Sequence, residues 1–510
     1  MCGQSVVAYG TTLIDREGVS LSFRALPHVR RARSLVFFAV VVALLAFAAA
    51  PSSAGGIGAP PKVKPTTATG PGTFQIPSGP STRLNPNGAT ALGFCGGDDW
   101  EPDIATSGTY VYVVWSHYVG DPTCDPASAN PHRIYIRVSS DSGQTFGPLH
   151  VISDTVDSVT YADQVDCVVT VDPVTGAVHV SFLAYGNQGV KTDVAVATST
   201  DHGSTFIAHK VNVGCSNCDH PWTLAYGNDV YTAYDSAKNH YIALSKDGGQ
   251  TWTEALVDQT DVVAFAEGGV LDAQHNAIFA WGDCLRSSCG GNIAGDYRIS
   301  KTLAGTLSTT FTHVAYAPAG PDCPYSPSCG FAFFGVQDDI GIDDAGTLYV
   351  AWQDGEDHTK AGSPSIVQLS KSTDGGTTWQ YVGRLDDKTA SGCATACYAL
   401  FPRIEGSTAG HIDAMWMDDR LGAPLDHKNG WNVWLRSSSD GGTSWGASQR
   451  VSSYDRTRTE SRRNGFLFPY GDYEDIKIVG STAYMMWGEG HDYTGGPSNP
   501  GHVVYRSMAA

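Results

Sequence analysis

The chain has 510 residues, room for two or three average domains or for one large repeat architecture. Glycine is abundant at 58 residues, aromatic side chains make up 10% of the chain and only 16% of residues are charged, which suits short aromatic-rich strands joined by tight turns and argues against a helical protein. The formal charge of −19 excludes nucleic acid and acidic membrane surfaces as natural partners.

Arg30, Arg31 and Arg33 precede an unbroken apolar run from Leu35 to Ala50, and Ser52 and Ala54 offer small residues for cleavage. Basic, apolar and small segments in that order predict a secretory signal region over residues 1–54, with Val29 as an alternative first residue. The run is short for a bilayer span, so the expected product is secreted, with no stable membrane anchor after cleavage. Residues 55–94 are rich in Gly, Pro, Thr and Ser and read as a flexible leader, within which Thr73–Ile76 (TFQI) is a candidate strand.

Residues 95–510 repeat one unit. A short strand enters at Ile104, Cys167, Trp222, Val270, Ile340, Ile404 and Ile476, and a second ends on an aromatic residue at Trp115, Phe182, Tyr234, Trp281, Trp352, Trp416 and Trp487. A third alternating strand then runs into an octapeptide: SSDSGQTF from Ser139, STDHGSTF from Ser199, SKDGGQTW from Ser245, STDGGTTW from Ser372 and SSDGGTSW from Ser438, with a degenerate copy from Ser300 to Phe311. The octapeptide is a hairpin turn: its Asp carboxylate accepts backbone N–H bonds, its Gly takes positive φ and its aromatic packs on the sheet. A four-stranded unit cannot bury two sheet faces alone, but units stacked radially can. The fold class is therefore all-β, a β-propeller of four-stranded blades, with seven favoured and six as the alternative. The last unit stops after its third strand, so its fourth is expected from the N-terminal leader at Thr73–Ile76.

Cysteines cluster at Cys95/Cys124, Cys215/Cys218, Cys284/Cys289, Cys323/Cys329 and Cys393/Cys397, while Cys167 sits alone in an apolar strand. In an exported protein such pairs read as local disulfides and Cys167 as a free thiol, with zinc the alternative at Cys215 and Cys218. Strand order puts the octapeptide turns on one face of the disc and the cysteine-rich loops on the other, which marks the second face as a preorganised binding surface. There the inner strands begin at Glu101, Gln164, Asp219, Glu267, Gln337 and Tyr473, with Asp103, Asp166, Asp339 and Asp475 close behind. No cofactor is required by this reading. The acidic ring is a place for Ca2+, solvated carboxylates being the other interpretation. Arginines are scarce, yet Arg403, Arg420 and Arg462 fall in neighbouring segments of this face and suit a carboxylate ligand.

The octapeptides are Asp-box (BNR) repeats, and the chain resembles sialidase-type propeller proteins over nearly all of residues 95–510. That resemblance implies an arginine triad, a Tyr nucleophile with a Glu partner and an Asp acid/base. The first inner strand here reads Glu101-Pro102-Asp103-Ile104, without the family's opening arginine; the nearest counterpart is Phe401-Pro402-Arg403-Ile404 in the sixth unit. The expected site is an anionic-sugar pocket between units six, seven and one. Arg403, Arg420 and Arg462 would bind the substrate, Tyr473 would act as nucleophile beside Glu101, and Asp99 as acid. The function this implies is a glycoside hydrolase acting on sialic-acid-type glycans, its partner a carbohydrate or glycoprotein. The alternative is a non-catalytic extracellular propeller that binds glycan or protein.

Overall fold

The computed structural model describes residues 90–91, 98–118, 132–186, 192–213, 217–260, 263–285, 294–318, 336–357, 359, 363–388, 397–421, 429–452, 457–458, 474–489 and 502–510. The expected signal region, Thr73–Ile76, Arg462 and Tyr473 lie outside them. The described residues form seven four-stranded antiparallel blades, one of them extended by a short fifth strand, and no α-helix.

Blade one shows the pattern. Asp98–Ser107, Tyr110–Tyr118, Arg133–Ser139 and His150–Val151 pair in chain order. The first strands of blades two to seven are Asp163–Val171, Asp219–Tyr226, Ala264–Leu271, Asp338–Ile342, Ala399–Gly406 and Asp475–Val479. Each packs on the first strand of the next blade, and Asp475–Val479 packs on Asp98–Ser107, so the inner strands close a ring around a central channel. Blade seven is completed by Thr90–Ala91, which pairs with His502–Ala509. The ring is thus closed from the N-terminal side, by a segment later in the chain than Thr73–Ile76.

The core lies between blades, not within them. Ile104, Val113 and Trp115 of blade one pack against Tyr484, Met486 and Val503 of blade seven, and equivalent clusters fill the other seams. The seven second-strand aromatics are all buried in these seams. Alternation explains this: a blade buries both faces, so nearly every side chain of its second strand is apolar or small.

The octapeptide turns have the expected chemistry. Ser139 Oγ donates to Asp141 Oδ1 at 2.7 Å, Gly143 N–H donates to Ser139 Oγ at 2.9 Å, and Thr145 gives its N–H and hydroxyl to the two Asp141 oxygens at 2.8 and 2.6 Å. The same set recurs around Asp201, Asp247, Asp374 and Asp440. These bonds, led by the hydroxyl four residues after each Asp, hold the carboxyls of Asp141, Asp201, Asp374 and Asp440 down at about 2. The turns also join blades: Lys371 Nζ donates to Gly441 O of the next blade at 2.9 Å, and Lys246 Nζ to Gly305 O at 3.0 Å.

Of the cysteines described, Cys218, Cys284 and Cys397 are disulfide-bonded, their partners lying outside the described residues, and Cys167 is a buried free thiol.

Candidate functional site at the channel mouth

On the face opposite the octapeptide turns, the inner strands of blades one, two, three and six each carry a two-residue bulge. Register shifts fall between Trp100 and Asp103, Val165 and Val168, Asp219 and Trp222, and Leu400 and Arg403. The first bulged residue takes positive φ in each: Glu101 (53°), Asp166 (55°), His220 (46°) and Phe401 (52°). A non-glycine residue in this region is strained, and such strain concentrates at sites that use it. In three of the four the next residue is proline, which gives up no ladder N–H at a bulge. The bulge corrects the expected alignment: Glu101 is equivalent to Asp166 and His220, not to Gln164 and Asp219.

Two tiers of acidic groups result. In the lower tier Asp103, Asp339 and Asp475 oppose Val114, Ala351 and Met486, the residues just before the second-strand tryptophans. Asp103 Oδ2 accepts the Val169 N–H of blade two at 2.6 Å, and Asp339 Oδ2 the Ile404 N–H of blade six at 2.8 Å. Lys477 Nζ lies 2.7 Å from Asp475 Oδ2 and 3.9 Å from Glu405 Oε2. Burial pushes Asp339 up to about 6 and Glu405 to about 8. Burial and Asp475 raise Asp103 well above its ordinary range. Asp103, Asp339 and Glu405 are thus all shifted toward their protonated forms despite the nearby Lys477 ammonium.

In the upper tier Asp338 and Glu474 are buried at 0% and 1% exposure. Neither side chain has a hydrogen-bond partner on either oxygen. Burial, reinforced by Asp339, raises Asp338 well above the carboxylate range; burial raises Glu474 likewise, despite Arg403. His220, which like them feels the charge of Arg403, is drawn down to about 3 by burial and then by Arg403, so its imidazole is neutral. Its Nδ1 lies 3.7 Å from Glu267 Oε1. The tier therefore offers two carboxylic acids and a neutral imidazole around one fixed cation. Among the described residues no group of three His, Cys, Asp or Glu side chains is arranged to hold a metal ion.

That cation is Arg403, on the same station as Asp103, Asp339 and Asp475 and 0% exposed. Its Nε donates to Glu474 O, and its Nη1 to Asp338 O at 3.1 Å, Glu267 O at 3.3 Å and Pro402 O at 3.5 Å. It also lies over the Trp222 ring, 5.7 Å from the centroid. One side chain thus gathers main-chain groups of blades four to seven and an indole of blade three. Arg420 is elsewhere, in the wall of blade six. Its guanidinium is paired with Asp418 at 2.6 Å and Asp387 at 2.9 Å, donates to Ser448 Oγ at 3.1 Å and stacks on Trp434 at 3.9 Å. The two arginines are not brought together.

Asp99 and Glu101 are buried in blade one. Asp99 Oδ1 accepts from Trp115 Nε1 at 2.9 Å and lies 2.7 Å from His117 Nδ1. Glu101 Oε2 accepts from Ser116 Oγ at 2.9 Å and from the Asp166 N–H at 3.2 Å. Sequence reasoning missed Asp338, Glu474 and His220. Its available signal was the acid pair, Asp338-Asp339 and Glu474-Asp475, at matching points of two units, and the His220-Pro221 step matching Glu101-Pro102.

No protein-family model matches the chain, and no curated protein is similar to it. Solved structures are. A Hadza microbial sialidase shares 13% identity at a TM-score of 0.43, covering 81% of this chain and 66% of its own. An ulvan lyase of a polysaccharide lyase family shares 11% at 0.49, over 82% of this chain and 94% of its own. Penicillium chrysogenum α-L-arabinanase in complex with arabinobiose shares 12% at 0.41, over 81% and 93%. The chain spans just under two thirds of that sialidase's length. At such identities and TM-scores no family follows from these likenesses, and the sheet topology itself makes the chain a seven-bladed β-propeller.

Proposed function

We propose that the protein is an exported, carbohydrate-active propeller working at its channel mouth, a glycoside hydrolase whose leaving-group oxygen is protonated by Glu474 or Asp338. The observation that carries this reading is the pair of fully buried carboxyl groups without hydrogen-bond partners. Burying a polar group unpaired costs stability, and groups retained at that cost cluster where chemistry needs them. Kept protonated, such a carboxyl is a general acid at neutral pH. Tyr473, which precedes Glu474, retains the nucleophile's role in the proposal, with Glu101 and Asp99 contributed by the adjoining blade one.

The arginines support an uncharged glycan over a sialic-acid-type one. Of the three arginines expected to clamp a carboxylate, Arg403 and Arg420 are already engaged by protein groups, which leaves Arg462 of that set. The same engagement favours a second reading, a non-catalytic propeller that binds glycan or protein. The test is to assay residues 55–510 on a panel of fluorogenic glycosides, a sialoside included, beside Glu474→Gln and Asp338→Asn. A neutral glycoside should be cleaved, and one of the two variants should lower kcat/KM by about 100-fold without lowering Tm. Turnover of the sialoside alone restores the anionic reading; glycan binding without turnover establishes the second.

A further inference from the structure

At the outer rim, across the sheets from the channel, a cavity of about 370 Å3 opens in the seam between blades two and three. His209 and Lys210 border it from the outermost strand of blade two, Gln250 and Trp252 from the octapeptide turn of blade three, and Asp157 from a small hairpin at Thr155–Thr160. The volume falls at the small end of ligand pockets, enough for one or two sugar rings.

The walls are held rigidly. Trp252 Nε1 donates to Gly249 O at 3.1 Å, and the ring packs against the buried cluster that includes Val194, Val196, Val211 and Tyr234, which fixes the indole as a platform. His209 Nδ1 lies 2.7 Å from Asp157 Oδ1, and the Lys210 N–H donates to Asp157 Oδ2 at 2.9 Å. Lys210 Nζ pairs with Asp193 Oδ1 at 2.8 Å. These contacts leave His209 Nε2 and two Lys210 N–H groups for a ligand. Lys210 Nζ already has its own acid in Asp193, and the Asp157 carboxylate is taken up by His209 and the Lys210 N–H, so the cavity offers an anion no unpaired ammonium. What it does present is an aromatic face beside fixed hydrogen-bonding groups, the combination that recognises a molecule apolar on one face and polar at its edge.

We infer that this cavity is a second saccharide site, which anchors one or two pyranose units of a neutral glycan chain apart from the channel mouth. The inference stands independently of any catalysis there. The bound ring would lie against Trp252, its hydroxyls meeting His209, Lys210 and Gln250.

The test is calorimetric titration of residues 55–510 with cellotetraose, xylotetraose and mannotetraose, and with tetragalacturonate as the anionic comparison. Gln250→Trp fills the cavity from an exposed position, and His209→Ala removes an edge contact; both are checked for unchanged Tm. At least one neutral tetrasaccharide should bind in the range of about 10 μM to 1 mM, and each variant should weaken it by about tenfold or more. Glu474→Gln should leave this binding intact, and the rim variants should leave cleavage of short fluorogenic glycosides intact, which separates this site from the channel mouth. No binding by any neutral tetrasaccharide, tighter binding of tetragalacturonate, or binding untouched by both rim variants overturns the inference.

Discussion

Asp338 and Asp339 are neighbours in sequence, as are Glu474 and Asp475, yet the two members of each pair behave differently. Asp339 reaches into the next blade for the Ile404 N–H, while Asp338 points away and finds no partner. Alternation along a strand sends adjacent side chains to opposite sides, so an acid pair divides into one carboxylate that ties blades and one carboxyl that does not. Glu405 of the lower tier gives a test of these electrostatics. Burial lifts it from an ordinary 4.5 to about 8, so the folded chain keeps a proton that the unfolded chain releases. Its contribution to stability is present below about pH 4.5 and is lost as pH rises through about 8. Glu405→Gln has no such proton to lose. The Tm difference, variant minus wild type, should therefore become more positive between pH 5 and pH 8.5; a constant difference would falsify the raised carboxyl.

At the scale of the element, the octapeptide turn is both a hairpin and a joint. Its Gly376 takes φ +90°, and a Cβ there would lie 2.6 Å from Ile299 Cδ1 of the preceding blade. Both backbone and seam exclude a side chain. Gly376→Ala should cost about 1–2 kcal/mol in urea unfolding from the left-handed conformation alone, with more if Ile299 cannot move aside. The bulged inner strand is the complementary element on the opposite face. It sets two residues against one and so shifts register by one residue, turns Glu101 and His220 into strained conformations, and brings Arg403 onto the ring of aspartates beneath. Without the bulges these positions would follow simple alternation.

For the whole molecule, seven blades leave a channel that must be filled, and Arg403 fills it. Its bonds run to carbonyls of four blades. It also offsets part of the negative charge that inner-strand acids place there. Arg403→Met keeps the length and removes both. The variant should lose about 3–5 kcal/mol in chemical denaturation, the scale for stripping the partner from buried polar groups. Arg403→Lys, with one compact charge in place of a planar fork, should recover only a part. A loss no larger than for an exposed arginine would assign the channel's stability to the seams instead. The ring itself is closed by Thr90–Ala91 on the strand at His502–Ala509, so the two ends of the propeller meet in one blade.

The sequence by itself determined the architecture. The second-strand aromatics recur seven times and the octapeptide turn in five good copies and one degenerate one, and repetition makes each copy of a local signal evidence for the others. It also placed the turns on one face and Arg403 in an inner strand, though at the middle of Ala399–Gly406 and not at its head. It did not determine what these residues do, because that depends on contacts across the ring between segments far apart in the chain. Arg403 and Arg420 look alike as scarce, adjacent arginines, but one is spent on the channel's carbonyls and the other on Asp418 and Asp387. Which carboxyl stays unpaired, which histidine stays neutral and which residues share a station were decided by the bulges and by burial. Those are properties of the folded ring, and no local pattern of residues encodes them.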